Sequence, residues 1–268
     1  MWIAQGRSLH RLEPATGVIE RTRALLPQRR SIDLQAIDEE DGFVGLASGR
    51  LAIVLDRDGD EVARAKVRRG IYTEGVAFRG PHLLVAGGRR LWAVAGDRAT
   101  MESVRAPARV ASFALDGGTG WVGGSGFVWP LDAATGGHAG PRSKVSADDG
   151  LAAAEGVVWA ADGHGITRID PASGRAAARV EEPADFVALG DGALWTLTHE
   201  GALTRRDPGT GRAVGEPVTV GGGDDFHERP GTLVADGGAV YVGLSHPAVV
   251  RVDPASGRIV WRRDIPYT

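Results

Sequence analysis

The feature that most limits what this chain can become is a five-residue turn that returns about every 40 residues. It is clearest at Asp170-Pro171-Ala172-Ser173-Gly174, and it returns at Glu13 to Gly17, Asp132 to Gly136, Asp207 to Gly211 and Asp253 to Gly257. Weaker copies stand at Asp56-Arg57-Asp58-Gly59 and around Gly96 to Thr100, which makes seven. An acid at the first position accepts backbone N–H bonds, Pro presets φ near −65°, and Gly supplies the positive φ that returns the chain alongside itself. Each copy therefore predicts a tight connection between two antiparallel strands.

The flanking residues supply those strands. An alternating run precedes each turn, as in Ile166-Thr167-Arg168-Ile169, and a second follows it, as in Arg175 to Val180. Upstream lies a third run marked by an aromatic or β-branched pair, such as Trp121-Val122, Val158-Trp159, Leu194-Trp195 or Val240-Tyr241. A fourth, more apolar run comes before that, as in Phe186 to Leu189. Four antiparallel strands per repeat of this length predict the blade of a β-propeller, and seven repeats predict seven blades in one domain spanning 1–268. Blade one lacks a clear inner strand, because Met1 and Trp2 already open its second strand. The expectation is that Ile265 to Thr268 lean across it as a partial closure.

Composition agrees. Glycine, at 40 of 268 residues, occurs at about twice its usual frequency without a collagen period, so it serves many turns. The net charge of −3 gives no clustered basic surface for nucleic acid. The absence of cysteine excludes disulfides, thiolate chemistry and Cys-ligated metals. No apolar run approaches membrane-spanning length and no secretory leader pattern follows Met1, so the sequence predicts a cytoplasmic monomer with no membrane partner.

The repeats resemble the broad superfamily of bacterial seven-bladed propellers that includes YVTN repeats, PQQ-like repeats and virginiamycin B lyases. The turns and the Leu-Trp or Val-Trp pairs carry this resemblance over the whole chain. It implies an architecture but no single activity, so function must be argued from a site. A virginiamycin B lyase would be a metal-dependent C–O lyase with a Glu-x-His element and a later Glu. Here Asp225-Phe226-His227 has that spacing with a shorter acid, and no Glu follows Glu228.

Blade geometry puts the loops between second and third strands on one face with the connections between blades. The expected loops are Gln5 to Ser8, Ser48 to Arg50, Gly87 to Arg90, Gly123 to Gly126, Asp162 to Gly165, Thr198 to Gly201 and Ser245 to Pro247. Residues 1 to 110 carry 18 basic and 14 acidic residues, whereas 111 to 268 carry 13 and 20. Arg50, Arg69 and Arg90 are the expected ligands for an anionic group, since guanidinium matches carboxylate or phosphate. His164, His199 and His246 are the expected ligand-binding residues of the acidic half. The longest departure from the repeat, Val220 to Pro230, sets Asp224, Asp225, His227 and Glu228 on a glycine stem read as mobile.

Two functions follow as expectations. The first is a non-catalytic binding or scaffold protein, without a cofactor, that recognises a protein, peptide or small anionic ligand. The second is a metal-assisted lyase or hydrolase in which Asp225, His227 and Glu228 are catalytic and Asp224 joins them around a divalent cation.

Overall fold

A computed structural model describes residues 1–5, 8–25, 36–40, 43–48, 51–56, 58–66, 75–79, 82–95, 98–106, 108–132, 137–222 and 228–266. Within these, residues 4–5, 36–40, 43, 47–48, 51, 65–66, 75–79, 82–87, 90–95 and 98–105 are described by main chain alone. The chain is all-β, and no helix among the described residues is long and apolar enough to cross a membrane.

The described chain divides into two compact units, one of Met1–Gly124 with Pro130–Ala139, the other of Ser125–Trp129 with Gly140–Pro266. The first unit begins with β1 (Trp2–Gln5), β2 (Ser8–Leu12) and β3 (Ile19–Ala24). It continues through β4 (Ala36–Glu40), β5 (Phe43–Ser48), β6 (Leu51–Leu55), β7 (Glu61–Lys66), β8 (Gly75–Arg79), β9 (His82–Gly87), β10 (Arg90–Ala95) and β11 (Arg98–Arg105). Next come β12 (Ser112–Asp116), β13 (Thr119–Gly124) and β14 (Phe127–Asp132), the last of which the division crosses. The second unit holds β15 (Gly150–Ala154), β16 (Val157–Ala161), β17 (Ile166–Ile169) and β18 (Ala176–Val180). There follow β19 (Phe186–Gly190), β20 (Ala193–Leu197), β21 (Ala202–Arg206), β22 (Val218–Thr219), β23 (Pro230–Asp236), β24 (Ala239–Leu244), β25 (Ala248–Val252) and β26 (Ile259–Asp264).

Each sheet pairs its strands in chain order. The sheets β4 to β7, β8 to β11, β15 to β18, β19 to β22 and β23 to β26 have four strands, while β1 to β3 and β12 to β14 have three. Among the described residues the first sheet has three strands, in keeping with the sequence expectation. Among them β12 to β14 also form three strands where the sequence predicts four. There the returning segment Gly137-His138-Ala139-Gly140-Pro141-Arg142-Ser143 forms only isolated bridges, Leu131 to His138 and Val128 to Ser143. Glycine weakens a ladder and proline cannot donate to one, so this stretch cannot sustain a strand. The described part of the tail stays with the last sheet, where Ile265 is buried and donates its N–H to the Pro247 carbonyl at 2.5 Å. Residues 267–268 lie outside the described residues.

The turns opened by Glu13, Asp56, Asp170, Asp207 and Asp253 have the predicted chemistry, while residues 96–97 and 133–136 of the other two lie outside the described residues. Asp170 accepts from the Ala172 N–H and the Ser173 hydroxyl, and the Gly174 N–H donates to the Asp170 carbonyl. Bonds first of all from the Ser173, Thr210 and Ser256 hydroxyls hold Asp170, Asp207 and Asp253 below the usual carboxylate range. Glu13 is lowered in the same way, chiefly by the Ala15 N–H.

The turns also join neighbouring sheets. Trp159, fully buried in β16, donates its indole N–H to the Pro208 carbonyl at 2.9 Å, and Arg168 of β17 donates to Gly209 O at 3.0 Å. A Cβ on Gly211, whose φ is +75°, would lie 2.6 Å from the Trp159 ring. In the first unit, Trp2 lies against Gly59 in the same way, while Arg21 donates to Asp58 O and Arg23 to Gly59 O. Cores form between these contacts: Trp2 and Leu9 with Val44, Leu46, Ile53 and Leu55, and Trp195, Leu197 and Leu203 with Val240, Val242 and Val250. Each fully buried aliphatic side chain contributes about 1.5–3 kcal/mol.

Two predictions follow from this packing. Gly211→Ala combines an unfavourable left-handed backbone with a steric clash and should cost at least ~2 kcal/mol. Gly117→Ala, also at positive φ but with open space around the new methyl, should cost only ~1 kcal/mol; urea titrations of both variants measure the gap. The second concerns His10, fully buried in β2 with Nδ1 3.0 Å from Thr22 Oγ1 and Nε2 without a hydrogen-bond partner. Burial holds its imidazole below the ordinary 6.5, so the unfolded chain takes up the proton first. Its contribution to stability is complete above 6.5 and lost as pH falls through the folded value, and His10→Gln should flatten that part of the stability profile.

Candidate functional site

Antiparallel alternation sends the turns after each third strand to one end of a sheet. The loops between second and third strands, and the connections to the next sheet, go to the other. In the second unit the described part of this loop end is built by 146–149, 162–165, 181–185, 198–201, 220–222, 228–229 and 245–247. The loops predicted at Asp162 to Gly165, Thr198 to Gly201 and Ser245 to Pro247 fall between β16 and β17, β20 and β21, and β24 and β25.

Adjacent loops are tied to one another. The Ser125 hydroxyl donates to Asp148 at 2.9 Å, and the Gly126 N–H donates to Ser146 Oγ at 2.8 Å. Asp149 places a carboxylate oxygen 3.0 Å from where a Gly163 Cβ would stand. Asp162 accepts from the N–H groups of His164 and Gly165 and pairs with Arg179 at 2.9 Å. Burial opposes its charge, but Arg179 outweighs that and holds the Asp162 carboxyl below its ordinary value. Asp185 accepts the His199 N–H at 2.7 Å, and its other oxygen lies 3.5 Å from His199 Nε2, whose ring meets Phe186 edge-on.

Asp149 behaves differently. The residue is exposed, yet partial burial of its carboxyl, followed by the charges of Asp185 and Asp148, pushes it above the ordinary carboxylate value. His199 acts in the opposite direction and does not cancel them. The neighbouring aspartates thus add to the cost that burial already imposes on this carboxylate.

His164, His199 and His246 all stand exposed on these loops, in corresponding positions of three successive sheets. The His164 ring also meets its neighbour's backbone, with Nδ1 3.1 Å from Asp162 O. Arg50, Arg69, Asp224, Asp225 and His227 lie outside the described residues, and Arg90 is described only by its backbone, paired with Gly87 and Arg105. Glu228 forms an ion pair with Arg262 at 2.8 Å, and its carbonyl accepts the Gly222 N–H at 2.8 Å. Among the described residues no group of three or more His, Asp or Glu is disposed to hold a metal ion.

Of the glycine stem expected to be mobile, Gly221 and Gly222 lie in close backbone contact with the preceding loop, and Gly223 lies outside the described residues. A Cβ on Gly201 would run into the Gly221 carbonyl, and one on Gly222 into the Glu200 carbonyl. Asp148, Asp149 and Asp185 are residues that the sequence reading missed. Their signal is an aspartate just before a sheet's first strand, Asp149 before Gly150 and Asp185 before Phe186, visible only when repeats are aligned on that strand rather than on the turn.

No protein-family model matches the chain, and no curated protein matches it. Among solved structures it is similar to the computationally designed Ika8 protein, with a TM-score of 0.70 at 12% identity, covering 98% of this chain and 86% of that chain. Likeness at such low identity concerns the fold alone.

The crowding of Asp149 predicts that Asp149→Asn raises the melting temperature at neutral pH. A raised carboxyl binds its proton more tightly in the folded chain, so the penalty is full above the folded value and absent below the unfolded 3.8. The gain should therefore shrink as pH falls toward that value, as thermal melts of both proteins across the acid range would read.

Proposed function

We propose that the chain is a seven-bladed β-propeller of the kind its repeats resemble, and that it is a non-catalytic binding module. Its loop end in residues 140–266 receives a positively charged segment of a protein or peptide. The observation that carries this reading is the arrangement around Asp149: Asp148, Asp162 and Asp185 all act on it, and each is already committed, Asp148 to the Ser125 hydroxyl. Asp162 is occupied by Arg179 and backbone N–H groups, and Asp185 by His199. Committed carboxylates are poor proton carriers but a rigid source of negative potential, which suits recognition. A lysine or arginine brought against Asp149 would offset its repulsion from Asp148 and Asp185.

Rigidity supports the same reading. The loops are held by hydrogen bonds to their own aspartates and by close backbone contact at Gly201 and Gly222, so a partner would meet a preformed surface. The exposed rings of His164, His199 and His246 would add contacts. The anionic-ligand reading rests on Arg50, Arg69 and Arg90 in the first unit, and the same experiment separates it.

Fluorescence anisotropy of labelled oligo-lysine and oligo-glutamate peptides provides that test. The lysine peptide should bind, more weakly as salt rises, and Asp149→Asn combined with Glu200→Gln should reduce its affinity about tenfold, the loss of roughly 1.4 kcal/mol. Replacing Arg50, Arg69 and Arg90 together should leave that binding unchanged. Binding of the glutamate peptide instead, or no effect of the acidic substitutions, would overturn the assignment.

A further inference from the structure

The sequence contains seven Asp-Gly steps, at Asp41, Asp58, Asp116, Asp149, Asp162, Asp191 and Asp236. At such a step the glycine amide nitrogen can attack the aspartate Cγ. A new N–C bond closes a five-membered succinimide, and a carboxyl oxygen leaves as water with the amide proton. Water then reopens the ring at either carbonyl, and opening at the α-carbonyl leaves the chain running through the side chain as isoaspartate. Glycine favours the step because it has no side chain to obstruct ring closure and lets the backbone turn freely. The fold decides which steps can react, since both the carboxyl and the amide must be disengaged.

Most of the described steps are held. The Gly59 amide donates to Asp56 O at 2.8 Å. Gly150 is buried at the start of β15, with Val187 N 3.3 Å from its Cβ position. The Asp162 carboxylate is occupied by Arg179 and two backbone amides. That of Asp191 accepts the Gly238 N–H at 3.1 Å, and Asp116 also has a partner. Asp41 lies outside the described residues.

Asp236 differs from all of these. It is exposed, and its carboxylate makes no hydrogen bond or ion pair among the described residues; nor does the Gly237 amide. It closes β23 at a two-residue turn made of two glycines, Gly237 at φ +61° and Gly238 at φ +74°, opposite Ala239. We infer that Asp236-Gly237 is a site of spontaneous isoaspartate formation, the first of the described Asp-Gly steps to be modified as the folded protein ages. Isomerisation would add a backbone carbon to a two-residue turn. It would also draw Gly238 away from Asp191, a link between neighbouring sheets, and would do so at the end opposite the proposed binding loops.

The test is peptide mapping of the full folded chain after prolonged incubation near neutral pH at body temperature. Electron-based fragmentation distinguishes isoaspartate from aspartate at each step, and a parallel sample is aged in denaturant. In the folded chain, isoaspartate should appear at Asp236 several-fold faster than at Asp162 or Asp191, and Gly237→Ala should slow it. In denaturant the three should age at similar rates, because there the fold no longer protects two of them. Earlier modification at Asp162 or Asp191 in the folded chain, or no isoaspartate at Asp236, would overturn the inference.

Discussion

Gly211 has no side chain, and the space this leaves is filled by the six-membered ring of Trp159 from the preceding sheet. The contact serves two purposes at once. The left-handed glycine lets β21 leave its turn, and the same turn offers carbonyls at Pro208 and Gly209 to the Trp159 indole and the Arg168 guanidinium. Trp2, Arg21 and Arg23 make the corresponding contacts on the Asp56 to Gly59 turn. A local requirement for positive φ and a tertiary requirement for close approach are met by one residue type at one position. Agreement of this kind between local and global preference is what gives a repeated sequence a single folded state.

The turns could be read from sequence because their chemistry is local: the acid, the hydroxyl and the glycine lie within five residues. The docking of those turns could not. Trp159 and Pro208 stand 49 residues apart, and nothing near either announces the other. Register was legible for a similar reason, since alternation of apolar and polar residues fixes which face is buried. Regularity was over-read where breakers crowd together. Gly137 to Pro141 leaves only bridges beside β14, and Val214-Gly215-Glu216-Pro217 leaves β22 two residues long.

At the loop end the sequence indicated the histidines but not their surroundings. His164, His199 and His246 are rare residues in repeated positions, and they stand out in a strand-by-strand alignment. The aspartates that hold their loops are common residues at sheet boundaries, and their importance comes from convergence in space. The glycines at 221 and 222 illustrate the reverse error: three glycines in a row suggest freedom, yet here they permit backbone to lie on backbone at Glu200 and Gly201.

The two ends of each sheet in the second unit therefore use charge in opposite ways. At the turn end the carboxylates of Asp170, Asp207 and Asp253 are matched to N–H and hydroxyl donors within their own turns, which lowers their pKa and favours the fold. Arg206 carries the same economy into the interior. It is buried, yet each branch of its guanidinium has an acceptor, in Thr196, Gly211 and Glu182. At the loop end the pKa of Asp149 is raised first by partial burial of its carboxyl and then by the charges of Asp185 and Asp148, which opposes the fold. A scaffold whose sheets are joined by turn, indole and guanidinium can tolerate that repulsion, because no sheet contact depends on it. A carboxylate whose burial and like-charged neighbours oppose its ionisation is the kind of group that a cationic partner would relieve.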